Sequence, residues 1–90
     1  VAVTTSDTTV YSVPSGKTFY LRNLIVDNEA GTGITVVIKD YDTEKLRVRV
    51  AADASKELTD IKGVIFSTGV VASVSVGTGI VAVGGEVAEV

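Results

Sequence analysis

Between Val70 and Val76 the chain reads V-V-A-S-V-S-V, with Val70, Ala72, Val74 and Val76 on one parity and Val71, Ser73 and Ser75 on the other. A period of two puts alternate residues on opposite faces of a strand. The pattern recurs. Leu46, Val48 and Val50 alternate with Arg47 and Arg49, and Ile34, Val36 and Ile38 share a side while Val37 takes the other. The helical period is almost absent. Short β-branched runs, which fit pleated surfaces, are cut by glycine, Asx and threonine clusters. Strands are predicted over Thr8–Val13, Lys17–Asp27, Gly33–Asp40, Lys45–Ala51, Gly63–Ser67, Val70–Gly77 and Gly79–Val90, with a weak one through Val1–Thr4. Seven to eight short strands in 90 residues make one all-β domain, 1–90, a sandwich or barrel.

Turn chemistry divides the strands. Pro14-Ser15-Gly16 is a corner, because proline fixes φ and glycine accepts positive φ. Lys17 follows as a solvated charge at the mouth of the next strand, where it discourages edge pairing. Asn28–Gly33 reads as a hairpin loop, Asp40–Glu44 as a polar turn, and Gly77-Thr78-Gly79 as a tight hairpin between the last two strands. Gly84-Gly85 reads as a bulge. Phe19 and Leu21 share one parity, Leu24 and Val26 the other, so a phase slip is expected near Arg22-Asn23. Ala51–Lys62 is ambiguous. Asp53 is a candidate cap for a short helix, and a crossing loop with a short edge strand is the alternative; a loop with at most one or two helical turns is preferred.

Composition narrows the function. The chain has no cysteine, histidine, tryptophan or methionine, and its hydrophobic content is 46%. Thiol chemistry, histidine triads and nitrogen or sulfur metal sites are therefore excluded. Lack of cysteine fits an extracellular or exposed setting, and equally a hot habitat where thermolabile residues are avoided. The net charge of −3 with both signs dispersed supplies no basic cluster for nucleic acid. No apolar run approaches the ~20 residues of a membrane-spanning helix. The chain starts at Val1 without an initiator methionine, which suggests processing, leader cleavage or trimming.

Each chemical motif has a plainer reading. Ser15-Gly16-Lys17-Thr18 ends like a phosphate-binding loop, but Tyr11 stands where the first glycine is required, and a strand pattern follows in place of a helix. Gly77-Thr-Gly-Ile-Val-Ala82 approximates a dinucleotide fingerprint, yet too few residues follow for a βαβ unit. Asp40, Asp42 and Glu44 are spaced as in calcium loops, which makes them a weak calcium candidate that Asp27 and Glu29 would join if the loops are neighbours; an EF-hand would need glycine where Lys45 stands and glutamate where Ala51 stands. Paired carboxylates alone, without tryptophan or a cleft, give little basis for glycosidic chemistry. No catalytic residue and no cofactor are expected. Phe19 and Phe66 read as core. Tyr20 and Tyr41 are candidate ligand or partner contacts, Tyr41 above all because it sits on a loop tip among acids.

Several strands are apolar on both faces, which one buried side per sheet does not require. A subunit interface does, since homo-oligomer interfaces resemble a domain core. Val37, Val71, Val81 and Val83 are the expected interface positions. The threonine-rich segment Val1–Thr9 is a candidate arm for adding a strand to a neighbour's sheet.

Taken in order, "VYSVPSGKTFYLRNLIVDN", a glycine-rich loop, "ITVVIKD" and "IKGVIFSTGVVASVSVGTGIVAVGGEVAEV" resemble the small β-sandwich decoration (cement) and tail-associated proteins of tailed-phage and archaeal-virus particles. The resemblance spans about Val10 to Val90 and rests on turns and strands. It implies a jelly-roll-like antiparallel sandwich, symmetric oligomers that are often trimers, and no catalysis; it carries over no site residues. The expected function is thus a non-catalytic virion protein, a decoration or coat subunit that contacts itself and a major capsid or other particle protein, located in the virion or outside the cell. The alternatives are a subunit of an extracellular filament or surface layer, and a carbohydrate- or protein-binding module.

Overall fold

The computed structural model describes residues 1–89, so Val90, the end of the last expected strand, lies outside the described residues. Two antiparallel sheets pack face to face. Sheet A runs in the order β1 (Ala2–Val3), β9 (Gly79–Glu89), β3 (Lys17–Asn28), β6 (Ser55–Leu58), with β7 (Ile65–Phe66) also on β3. Sheet B runs in the order β2 (Thr8–Ser12), β8 (Gly69–Val74), β4 (Ile34–Asp40), β5 (Thr43–Val50). The chain crosses between sheets at nearly every connection, which gives a jelly-roll-like order and puts sequence neighbours in opposite layers.

Crossing of this kind overturns two expected hairpins. Asn28–Gly33 and Gly77-Thr78-Gly79 both carry the chain from one sheet to the other. Only Asp40–Glu44 closes a hairpin, pairing Asp40 with Thr43 across Tyr41-Asp42. Ala51–Lys62 contains no helix. Asp53 takes positive φ in a turn closed by the Ala54 amide on the Ala51 carbonyl, and Ser55–Leu58 forms an edge strand against Leu24–Asp27. The alternative reading, a crossing loop with a short edge strand, is the one that forms; with only Leu58 half-buried, its four residues carry too little apolar alternation to have preferred it from sequence.

The N-terminal segment also departs from expectation. Val3 is fully buried, and Val1 and Val81 exchange backbone hydrogen bonds in both directions. The amide of Val74 donates to the Thr4 carbonyl. The segment is thus built into its own sandwich and not held out as an arm.

Pro14–Lys17 is the corner expected, closed by the Lys17 amide on the Pro14 carbonyl with Gly16 at φ 76°. That sign at the third turn position is one that glycine adopts without strain. Lys17 does not guard an edge: β3 is flanked by β9, and the Lys17 ammonium hydrogen-bonds the Glu89 carboxylate.

The phase slip sits at Arg22. Pairing with β9 runs from Asn28↔Gly79 to Asn23↔Gly84, skips Arg22, and resumes at Leu21↔Gly85. The extra residue belongs to β3, so Gly84-Gly85 is the unbulged side facing it. On both sides of the slip the inward residues Phe19, Leu21, Leu24 and Val26 are buried. They meet Val36, Ile38, Val70, Ala72, Val74 and Phe66 in one core, in which Phe19 lies 4.9 Å from Tyr11 and 6.2 Å from Phe66 between ring centroids.

Of the two glycines opposite the bulge, Gly85 is sterically required. A Cβ on Gly85 would lie 2.1 Å from the Tyr20 carbonyl oxygen, and one on Gly84 would lie 2.2 Å from Asn23 Oδ1. The first contact is with backbone and cannot be relieved by a rotamer change. Gly85→Ala is therefore expected to lower unfolding free energy by about 2–3 kcal/mol, the range of overpacking. Gly31→Ala, with nothing within 4 Å, should stay within roughly 0.5 kcal/mol. Urea midpoints of the two variants check the contrast.

Candidate functional site on the outer face of sheet B

The two ends of the sandwich are held by one polar side chain each. At the end where Asn28–Gly33 crosses, Asn28 is 2% exposed. Its Nδ2 donates to the carbonyls of Thr32 at 2.9 Å, Ala51 at 2.9 Å and Val50 at 3.3 Å, and its Oδ1 accepts from the Ala30 amide at 2.8 Å. One side chain thereby ties the β3–β4 and β5–β6 crossings. Sequence reasoning missed it. The available signal was an Asx side chain two residues before an amide that it can cap, at the entry to a glycine-rich loop.

At the other end, Asp40 Oδ1 accepts from the amides of Thr68 at 3.0 Å and Gly69 at 3.3 Å, while Oδ2 accepts from the amide and hydroxyl of Ser67, both at 3.1 Å. Burial pushes the Asp40 carboxyl upward. The hydrogen bonds from Ser67, Thr68 and Gly69 together outweigh that and hold it below its ordinary value. The carboxylate anchors the β7–β8 loop.

This accounts for the calcium candidates. Asp40 is turned into the loop amides, and Glu44 holds Arg47 through both oxygens, at 2.8 and 3.2 Å. The hydrogen bond from Arg47 keeps the Glu44 carboxyl below its usual range. Asp42 accepts from the Thr43 hydroxyl at 3.4 Å, and Asp27 accepts from the Ser55 hydroxyl at 2.9 Å. Among the described residues no three carboxylates converge on a metal site.

The four expected interface valines separate into two pairs. Val81 is fully buried in the core and Val83 packs against it, so both side chains serve the protomer's own interior. The parity is the reason: the inward face of β9 carries its odd-numbered residues as far as the sandwich covers it. Val37 and Val71 lie on the outer face of sheet B, where Val71 stands beside Lys39 and Val37 beside Ser73 in the ladder. Val71 is 7% exposed.

Tyr20 and Tyr41 are not brought together. Tyr20 sits on sheet A between Ile65 and Glu86, with the Arg22 guanidinium 5.5 Å from its ring centroid. Tyr41 is 66% exposed at the tip of the β4–β5 hairpin. Beside it is a shallow groove of about 400 Å³ lined by Asp7, Thr9, Tyr41, Asp42 and Val71. Lys39 crosses the face to Asp7 at 2.7 Å. The groove has an aromatic ring, a hydroxyl, two carboxylates and an apolar floor, a set suited to holding a polar ligand or a partner's loop.

Tyr41 is in the left-handed region, at φ 56°. Asp53 and Asp60 share that conformation, and Asp tolerates it; a tyrosine there is strained. Tyr41→Gly is expected to stabilise the fold by about 1 kcal/mol while deleting the groove's ring, which thermal melting checks. Asp40→Ala should destabilise by about 1 kcal/mol after discounting for solvent. Because the Asp40 carboxyl is depressed in the folded state, its contribution is complete above the ordinary value of 3.8 and is lost as pH falls through the lower folded value. Acid titration of stability should therefore show a shallower decline in Asp40→Ala than in wild type.

Comparison with protein-family models, with curated proteins and with solved structures yields no match to this chain.

Proposed function

We propose that the chain is a non-catalytic structural subunit of a virus particle, a capsid decoration or coat protein that stabilises a lattice by associating with itself and with a particle protein. The observation that carries the reading is the outer face of sheet A. Ile25 is 43% exposed and Ile80 38% exposed, and Ala82, the direct ladder partner of Ile25, lies between them on the surface. Farther along the same sheet Ile65, 45% exposed, pairs with Tyr20. Exposed apolar residues gathered on one sheet face support a docking surface there. The jelly-roll order is common to viral capsid and lectin domains, which supports the reading by analogy of fold alone. A virion or extracellular location follows from the same reading.

A second reading is favoured by one specific observation, the strained and exposed Tyr41 beside its groove. Backbone strain collects at ligand sites, so a carbohydrate- or protein-binding module is the alternative. It predicts amide shifts of Thr9, Asp42 and Val71 on titration with oligosaccharides.

Light scattering on the purified wild-type chain tests the first reading. The expected mass is twice 9.3 kDa or a higher whole-number multiple of it. A strict monomer at every attainable concentration would sink it. The double variant Ile25→Lys, Ile80→Lys should keep the wild-type circular dichroism, because both side chains already reach solvent, and should lose binding to the particle surface.

A further inference from the structure

Strand β9 is eleven residues long, and β1 covers only its first turn of ladder, Gly79, Ile80 and Val81. Beyond Val81, no strand among the described residues pairs with that side of β9. The direction of its free groups follows from one pair. Val81 gives and receives hydrogen bonds with Val1, so its N–H and C=O point toward the open side. The groups of a strand alternate in direction, and the bulge is on β3, so β9 stays regular. Val83, Gly85, Val87 and Glu89 therefore present N–H and C=O outward, while Gly84, Glu86 and Ala88 bond to β3.

The other edges are guarded. Strand β5 carries Lys45, Arg47 and Arg49; β6 carries Lys56 and Glu57; β2 is broken by a register shift between Thr9 and Tyr11; β1 and β7 are two residues each. These are the devices that keep sheet edges from pairing. The free half of β9 has no lysine and no proline. Its two acids are held within the chain, Glu86 4.0 Å from Arg22 and Glu89 hydrogen-bonded by Lys17. Val87 has inward parity yet is 44% exposed, as an inner-face residue is when no strand lies beyond it.

We propose that the occupant is a second copy of this chain, paired antiparallel through β9 about a two-fold axis at Val87. A register centred on any residue of the free half lets outward-facing residues meet, but a centre before Gly85 displaces β1 and a centre beyond Val87 pairs at most three described residues of each copy, which leaves Gly85, Glu86 and Val87 to compare. A centre on Glu86 sets the two Glu86 carboxylates directly opposite each other, which is unfavourable. A centre on Gly85 drives Glu89 into the place that Val1 occupies beside Val81. A centre on Val87 sets Val87 against Val87, Gly85 against Glu89 and Glu86 against Ala88, with no like-charge pair and no collision with β1. It covers the exposed valine on both copies. The axis stands perpendicular to the sheet, so sheet A continues into its copy and the two Ile25–Ala82–Ile80 faces lie on one side.

This inference rests on the self-associating reading above, and the test separates the two. Val87→Lys puts a charge at the axis on a side chain that already reaches water, so the protomer should fold, and dimer dissociation should rise by about tenfold or more. Amide exchange in the wild type should be slow at Gly85 and Glu89 and become fast in V87K, while Gly84, Glu86 and Ala88 stay slow in both. In a chain without cysteine, V87C should form a covalent dimer under mild oxidation, because hydrogen-bonded antiparallel partners lie roughly 5.5 Å apart at Cα, within disulfide reach. A wild type that stays monomeric overturns both readings. An oligomer, trimer included, that V87K leaves intact with Gly85 and Glu89 exchanging freely overturns the β9 pairing alone.

Discussion

Arg22 is one residue more than the ladder between β3 and β9 needs, and the sandwich depends on that excess. A strand of twelve residues with strict alternation would bury either Phe19 and Leu21 or Leu24 and Val26, never both sets. The bulge lets both halves face the same core. It also fixes what must stand opposite. At Gly85 the backbone of β3 leaves no room for a Cβ, and at Gly84 the Asn23 side chain fills the place that one would take. One local irregularity thus explains an apolar pattern on one strand and a glycine pair on another more than sixty residues away.

The crossings between sheets add a second constraint. A jelly-roll order sends most connections over the ends of the sandwich, where backbone groups leave the ladders and need other partners. Asn28 supplies them at one end and Asp40 at the other. The two residues work by opposite chemistry, an amide donating to carbonyls and a carboxylate accepting from amides. Among the described residues no buried side-chain nitrogen or oxygen is left without a partner. The polar inventory of the interior is therefore occupied by the fold, and what remains for recognition lies outside: the groove beside Tyr41, the apolar face around Ile25, and the open side of β9.

Much of this architecture was legible in the residues. Alternation along β4, β5 and β8 identified strands and inward faces, the opposed parities of Phe19 and Leu24 located the bulge, and Pro14-Ser15-Gly16 marked a corner. The candidate site was less legible. Val81 and Val37 look alike as valines on two-faced strands, yet one is enclosed and the other stands on the outer face of sheet B. Asp40 reads as a metal ligand by spacing, and only the approach of Ser67–Gly69, distant in sequence, turns it into a loop anchor.

By itself the sequence determined that this chain is all-β, that it lacks thiol and imidazole chemistry, and where its strands turn, because these depend on residue type and on side-chain direction within a few neighbours. Only the tertiary structure decided which turns are hairpins and which are crossings, which apolar faces are covered, and that β9 has an open side. Those properties depend on which strand becomes the neighbour of which. Ladder hydrogen bonds join backbone groups that are the same in every residue type but proline, so local pattern cannot distinguish one antiparallel partner from another.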